Sequence, residues 1–423
     1  MLEINQIRDR KEEIIERLKV RNFDGAGQID EVLAIDDKRK STQGELDKLL
    51  SQINVSSKEI GELFKAGKAE EANKLKADVP ALKEQAKELG DGLSSLEADI
   101  RTILLDIPNS PNELVPPGKS SEDNDIIKEH GAIPELGDGA KPHWELATQY
   151  DIIDFEWGSK ITGAGFPVYK GKGARLQRAL INFFLDKATE NGYLEIQPPV
   201  LINEDSGYGT GQLPDKEGQM YHISDTNFYL SPTAEVPLTN LYRDTIIPAE
   251  ELPIKITAYT PCFRREAGSY GKDVKGLNRL HQFDKVEIVQ IRDPEDSYQV
   301  LDEMVSYVAG LLEDLELPFR IARLCGGDIG FTSALTYDME VYSAGQKRWL
   351  EVSSISNFET FQANRLKLRF KNKEGKKQLV HTLNGSALAF PRILAALLEN
   401  NQGPDGITIP KALAAYTGFD LLN

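Results

Sequence analysis

Thr260-Pro-Cys-Phe-Arg-Arg-Glu-Ala267 and the later run His281-Gln-Phe-Asp-Lys-Val-Glu-Ile-Val289 decide how this chain folds. The first run has extended character, and a period of two sets Arg264 and Glu266 on one face. The second alternates in the same way, setting His281, Phe283, Lys285 and Glu287 on one face. Between them, Gly268-Ser-Tyr-Gly-Lys-Asp-Val-Lys-Gly-Leu-Asn-Arg279 is a long, basic, glycine-rich loop. Together they predict a wide antiparallel hairpin that presents guanidinium groups, carboxylates and an aromatic ring to a single surface. Arginine's planar fork suits phosphate oxygens, and a phenylalanine face suits stacking on an adenine base. Surface salt bridges and one core phenylalanine would explain any single residue here, but not the array.

Two downstream segments add chemistry to that surface. Glu351-Val-Ser-Ser-Ile-Ser-Asn-Phe358 puts a carboxylate and hydroxyls at alternate strand positions, a cradle suited to hydrated Mg2+ beside phosphates. Thr382-Leu-Asn-Gly-Ser-Ala-Leu-Ala-Phe-Pro-Arg392 leads into the apolar helix Ile393-Leu-Ala-Ala-Leu-Leu398. Gly385 marks the strand-to-helix turn in this pattern, and Arg392 falls in the first turns of the helix, where the bland alternative is a solvated arginine. Upstream, residues 175–191 form an amphipathic helix pattern, and Gly192-Tyr-Leu-Glu-Ile-Gln-Pro-Pro-Val200 follows as a strand closed by two prolines.

The N-terminal quarter has a different period. Leu75, Val79, Leu82, Ala86, Leu89, Leu93, Leu96, Ile100 and Ile103 recur at alternating steps of four and three, the spacing of a coiled-coil seam. Val32, Ile35, Leu46, Leu49, Ile53, Ile60 and Leu63 lie on the same frame, and Lys65-Ala-Gly-Lys68 links the two stripes. Each stripe needs a partner to bury it, so the pair folds back as a helical hairpin of roughly 50 Å at 1.5 Å per residue. Pro80 should kink the second helix or shift its start. A shorter amphipathic segment (Ile4, Ile7, Ile14, Leu18) precedes the arm as a separate helix. On periodicity alone, a dimerisation coiled coil is the more usual reading of such an arm. The proline-rich run from Ile107 to Gly118 marks the boundary with the mixed strands and helices beyond.

Composition sets outer limits. The 423 residues are 40% hydrophobic and 28% charged, which is ordinary globular composition with ample length for a large core. No apolar stretch approaches the roughly 18 residues that span a bilayer. The opening ten residues mix both charge signs, unlike a signal peptide. Cys262 and Cys325 cannot make a disulfide framework, and no cysteine-histidine cluster suggests zinc. A cytoplasmic location without membrane attachment is the expectation. The formal charge of −17 counts mildly against a nucleic-acid partner, and residues 25–105 carry 12 Lys and Arg against 16 Asp and Glu.

In this order the segments resemble the three signature motifs of class II aminoacyl-tRNA synthetases: a helix-strand-proline unit ending at Pro198-Pro199, Phe263-Arg-Arg-Glu266, and Gly385 through Arg392. Thr233-Ala-Glu235, residues 263–287, residues 351–357, residues 382–386 and the hairpin arm narrow the resemblance to the seryl-tRNA synthetase family, over essentially the whole chain. The resemblance implies an α+β fold. An N-terminal antiparallel coiled-coil hairpin (domain 1–110, arm about 30–105) precedes a catalytic domain (111–423) on a mixed, mainly antiparallel sheet flanked by helices. It also implies residue roles: Arg264 on the α-phosphate, Glu266 in the ATP site, Phe283 stacked on adenine, and Arg279 and Arg392 on the outer phosphates. Arg264, Glu266 and Arg392 would be the catalytic set. Glu351 and Ser354 would hold Mg2+, and Thr233, Glu235, Glu287, Asn384 and Ser386 would line a serine pocket.

ATP would be a substrate with Mg2+, and no zinc is expected. L-serine would become an adenylate and pass to tRNA(Ser), with tRNA(Sec) a second candidate acceptor. The arm would grip the tRNA, and the enzyme would work as a homodimer. Departures from the family pattern are Ile355 for a usual cysteine, Glu359 for aspartate and Gly326 for threonine. The nearest rival is a class II synthetase for another small amino acid such as threonine, disfavoured because the chain lacks a histidine-cysteine set to select it. An adenylating paralogue is disfavoured by the full-length arm. A coiled-coil protein with a decayed nucleotide site is disfavoured by the intact charged residues.

Overall fold

The computed structural model describes residues 1–266 and 275–423. The chain divides into two compact units, Leu2–Lys19 with Phe23–Pro108, and Asn109–Asn423 with Met1 and Val20–Asn22. The centre of the glycine-rich loop expected over 268–279 lies outside the described residues. Among the described residues no helix is long and apolar enough to cross a membrane.

The first unit is all helical. The short segment expected as one helix is broken into α1 (Ile4–Asp9) and α2 (Lys11–Val20). Helices α3 (Ala26–Lys65) and α4 (Ala69–Asp106) pack along each other, joined across Gly67, whose φ of 76° is one glycine adopts at little cost. Leu75, Val79, Leu82, Ala86, Leu89, Leu93 and Leu96 are half-buried and Ile100 is buried, as suits a two-helix seam with no third helix over it. The 40 residues of α3 span about 60 Å, longer than the stripe alone implied because both helices run past its ends. Pro80 does not shift the start of α4, which begins at Ala69 and continues through it. Near the base, the buried Asp36 pairs with Arg8, Arg39 and Lys40, which ties α1 to α3. Burial works to raise the Asp36 pKa, but the three cationic hydrogen bonds outweigh it and hold the carboxyl low.

The second unit is built on an eight-stranded sheet. Its strands are β1 (Asp125–His130), β2 (Leu194–Glu195), β3 (Ile254–Phe263), β4 (Gln282–Arg292), β5 (Phe319–Arg323), β6 (Leu335–Ser343), β7 (Arg348–Asn357) and β8 (His381–Ala389). They lie in the order β1-β5-β6-β7-β8-β4-β3-β2, and every neighbouring pair is antiparallel except β2 with β3. Helices α5 (Gly171–Glu190), α6 (Glu235–Asn240), α7 (Ser297–Asp314), α8 (Phe361–Leu366) and α9 (Phe390–Asn400) complete the elements used below.

Alternation along β4 explains how one strand serves both core and cavity. Val286 and Ile288 join the main core with Phe183 and Phe184 of α5, Met304 of α7 and Ile393 of α9. Each such side chain contributes about 1.5–3 kcal/mol by burial. Phe283, Lys285 and Glu287 point the other way, into a cavity.

Two local expectations need correction. The strand expected over 192–200 is only Leu194–Glu195, extended by the hydrogen bond from Ile196 N to Thr257 O before the prolines end donation. Gly385 is not the strand-to-helix turn. It lies within β8 opposite Ile355, where a Cβ would come 3.1 Å from the isoleucine side chain. The strand gives way to the helix later, at Ala389, the N-cap of α9, one residue after the buried Leu388 with its φ of 87°.

Candidate active site

Every residue to which the family resemblance gives a role in the site lines one cavity of about 650 Å3 over β4, β7 and β8. Glu287 of β4 is fully buried at its centre. Its Oε2 accepts from Lys285 Nζ at 2.5 Å and Thr233 Oγ1 at 3.2 Å, with Ser386 Oγ at 3.5 Å, and its Oε1 accepts from Asn384 Nδ2 at 2.8 Å. Antiparallel pairing puts Ser386 directly opposite Glu287, and Asn384 opposite Val289. Four side chains from three segments of chain therefore converge on one carboxylate.

Glu235 opens α6 as a second buried acid. Its Oε1 accepts from Gln362 Nε2 at 2.6 Å, and its backbone N–H donates to Thr233 Oγ1 at 3.3 Å. Burial, and next the Glu287 charge, push its pKa up to about 7, against the lowering effects of Gln362, Lys285 and Arg264.

At the other end of the cavity β3 stops at Phe263, so the alternation expected through Glu266 does not continue. Arg264 still faces inward. Its N–H donates to His281 O at 2.9 Å, and its guanidinium lies 5.2 Å from the centre of the Phe283 ring. Glu266, at a φ of 48°, pairs with Arg279. His281 corrects another expectation: it precedes β4 and turns away from the cavity, stacking on Phe166 at 5.2 Å with Nδ1 3.1 Å from Tyr221 Oη. Arg392, in the first turn of α9, donates from Nη1 to Glu351 O at 2.7 Å and from Nε to Asn278 O at 3.0 Å.

Glu351 and Ser354 pose a problem of parity, because residues three apart on a regular strand point to opposite faces. A bulge resolves it. Glu351 pairs with Glu340 and Ser353 with Met339, so Val352 has no partner and the strand changes phase between them. Both Glu351 and Ser354 then line the cavity. Opposite Ser354 on β6 lies Asp338, whose Oδ1 is buried without a hydrogen-bond partner among the described residues. Burial, and next the Glu351 charge, hold its carboxyl well above the usual range.

Sequence reasoning missed Lys285 as a site residue, although it shares the face of Glu287, and also missed Gln362, Asn278 and the loop residues Phe331, Thr332 and Ser333. That loop is pinned by Arg21, which donates to the carbonyls of Asn109, Ile329, Gly330 and Ser333 at 2.7–3.2 Å. No local pattern in the sequence links residue 21 to residue 333.

Residues 1–111 match the seryl-tRNA synthetase N-terminal domain, and residues 221–401 match the tRNA synthetase class II core domain (G, H, P, S and T). A serine–tRNA ligase from Salinibacter ruber is 49% identical over 421 residues, spanning 99% of this chain and 98% of its own. The chain belongs to the seryl-tRNA synthetase family. The crystal structure of seryl-tRNA synthetase from Pyrococcus horikoshii complexed with ATP superposes with a TM-score of 0.91 at 32% identity, covering 100% of this chain and 99% of that one. That of cytoplasmic serine–tRNA ligase from Naegleria fowleri in complex with AMP gives 0.86 at 26% identity, with the same coverage.

The raised pKa of Glu235 fixes the sign of a pH effect in this seryl-tRNA synthetase family member. The folded state holds the Glu235 proton more tightly than the unfolded chain. That contribution to stability is full below the ordinary value of 4.5 and is lost as pH rises to about 7. The wild-type chain should therefore lose thermal stability relative to Glu235→Gln across that interval. Melting temperatures whose difference stays constant with pH would contradict the assignment.

Proposed function

We propose that the chain is a serine–tRNA ligase that makes seryl-adenylate from L-serine and ATP and then esterifies the terminal adenosine of tRNA(Ser). The convergence of Thr233, Lys285, Asn384 and Ser386 on the buried Glu287 carries the substrate assignment. The buried Lys285 pairs with Glu287, while the buried Glu235 bonds only the neutral Gln362 amide among the described residues, so a substrate ammonium would supply the missing positive charge. Burying a second carboxylate without a cationic partner is costly, and an ammonium in the same pocket relieves that cost. In our assignment Glu287 takes the serine amine, while Glu235 and Ser386 bond the hydroxyl. Alanine would leave those groups unpaired, and threonine is excluded for lack of room. Asn384 and Thr233 hold the Glu287 carboxylate in place.

In the first step a carboxylate oxygen of serine attacks the α-phosphorus, the bond from that phosphorus to the β-bridging oxygen breaks, and pyrophosphate leaves. Nothing in this step needs a protein nucleophile; positioning and charge neutralisation suffice. Arg264 grips the α-phosphate, with adenine stacked on Phe283 and Glu266 nearby, and Arg279 and Arg392 hold the outer phosphates. Glu351 and Ser354 would hold Mg2+. Their oxygen ligands suit that hard cation, and the Glu351 charge beside the buried Asp338 oxygen, which has no hydrogen-bond partner among the described residues, favours a cation there. When bound, the ion neutralises phosphate charge. In the second step a ribose hydroxyl of the tRNA's terminal adenosine attacks the acyl carbon, and AMP leaves.

The arm α3–α4 is assigned to the tRNA by family likeness, through RNA shape and backbone rather than base edges. A cytoplasmic homodimer is assigned on the same basis. It is supported by large apolar side chains left exposed on the catalytic unit, Trp157, Ile161 and Leu194, the last on edge strand β2.

Glu287→Gln should raise the KM for serine in ATP–pyrophosphate exchange by roughly a hundredfold or more, while ATP affinity changes by less than about threefold. Equal loss of both would remove Glu287 from the serine pocket. Deleting residues 30–105 should spare serine-dependent exchange and abolish tRNA charging. Undiminished charging would sink the role given to the arm.

A further inference from the structure

A second knot of buried polar groups lies outside the substrate cavity. His143 and Glu399 are both fully buried. Oε1 of Glu399 accepts from the backbone N–H of His143 at 2.8 Å and lies 2.7 Å from His143 Nδ1. Its Oε2 accepts from the Ser343 hydroxyl and from Gly345 N–H. An apolar pair of similar volume would fill this space without the cost of desolvating a carboxylate, so packing alone does not account for it.

The pair holds the return foot of the glycine-rich segment. His143 Nε2 accepts from the backbone N–H of Leu277 at 2.8 Å, which places the ring proton on Nδ1, donated to Glu399. Gly276, at a φ of 66°, passes so close that a Cβ there would fall 2.2 Å from His143 Nε2. Lys275 Nζ stands 4.6 Å from the centre of the Trp144 ring. Residues 275–277 are thus docked on His143 and Trp144, and the next two, Asn278 and Arg279, line the cavity.

The contacts close into a ring. The Asn278 carbonyl accepts from Arg392 Nε at 3.0 Å. Its side-chain amide bonds Gln346, which in turn donates to Glu399 at 3.1 Å. Glu399 and Arg392 belong to the same helix, α9. The distance between Arg279 and Arg392 is therefore set by a circuit whose anchor is the His143–Glu399 pair.

We propose that His143 and Glu399 are positioning residues that hold Arg279 and Arg392 at the spacing of the β- and γ-phosphates of ATP. This rests on the assignment of those two arginines above. Neither residue lines the cavity, so their effect falls on the outer phosphates and not on adenosine, the α-phosphate or serine.

The test is equilibrium binding of ATP and of AMP to the full chain, wild type, His143→Phe and Glu399→Gln. Phenylalanine keeps the ring volume and removes both nitrogens; glutamine keeps the shape and removes the charge. His143→Phe should weaken ATP by roughly tenfold, the scale of one lost hydrogen bond that leaves a buried N–H unpaired, and change AMP by less than about twofold. Glu399→Gln should show the same selective loss, and it decides the matter if His143→Phe does not fold. Unchanged ATP affinity, or equal weakening of ATP and AMP, overturns the proposal. A wild-type chain that binds ATP but activates an amino acid other than serine would overturn the serine assignment and leave this one standing. A wild-type chain that binds ATP no better than AMP would overturn the assignment of Arg279 and Arg392 to the outer phosphates, and this proposal with it.

Discussion

The catalytic unit depends on a carboxylate placed where water cannot reach it. Glu287 has no exposed surface, and burying an isolated ionised carboxylate costs far more than a domain's net stability. Only a full set of donors makes the position tolerable, and β4 and β8 are registered so as to bring most of that set together. Lys285 comes from the same strand, and Ser386 and Asn384 come from the strand beside it. Thr233 comes from the segment that opens α6. With Glu235 also buried, two buried acids lie near one buried lysine, Lys285, and in our proposal a serine ammonium answers that shortage.

Irregularity in the sheet does as much as its regular pairing. The bulge at Val352 changes the phase of β7 so that Glu351 and Ser354 reach the same cavity. A second shift, between Ser386 and Ala389, coincides with the positive φ of Leu388 and turns the chain into α9. Arg392 then follows within one turn, pointing back over β7. Both departures lie at the cavity, where bulges re-aim side chains.

Much of this was legible in the sequence, for definite reasons. The heptad stripe sets a partner for each arm helix whatever surrounds it, and the alternation through Phe283, Lys285 and Glu287 sorts one strand into a core face and a polar face. Both follow from period alone. Features that depend on contacts distant in sequence were not legible. Arg21 binding carbonyls from Asn109 to Ser333, Gln362 steering Glu235, and His143 under Leu277 leave no local pattern. The bulge at Val352 was only half hidden: the Ser353-Ser354 doublet breaks the alternation of the run from Glu351 to Ser356, but does not say which residue goes unpaired. Pro80 was a true local signal whose expected effect on the start of α4 did not occur, because the seam on both sides of it holds the helix.

The most direct test of the account is ATP–pyrophosphate exchange measured with each of the twenty amino acids in the absence of tRNA. A pocket built around Glu287 and Glu235 predicts exchange driven by serine, with alanine and threonine each lower by roughly a hundredfold or more. Exchange with alanine or threonine comparable to that with serine would contradict the pocket. No exchange with any amino acid would contradict the adenylation chemistry itself.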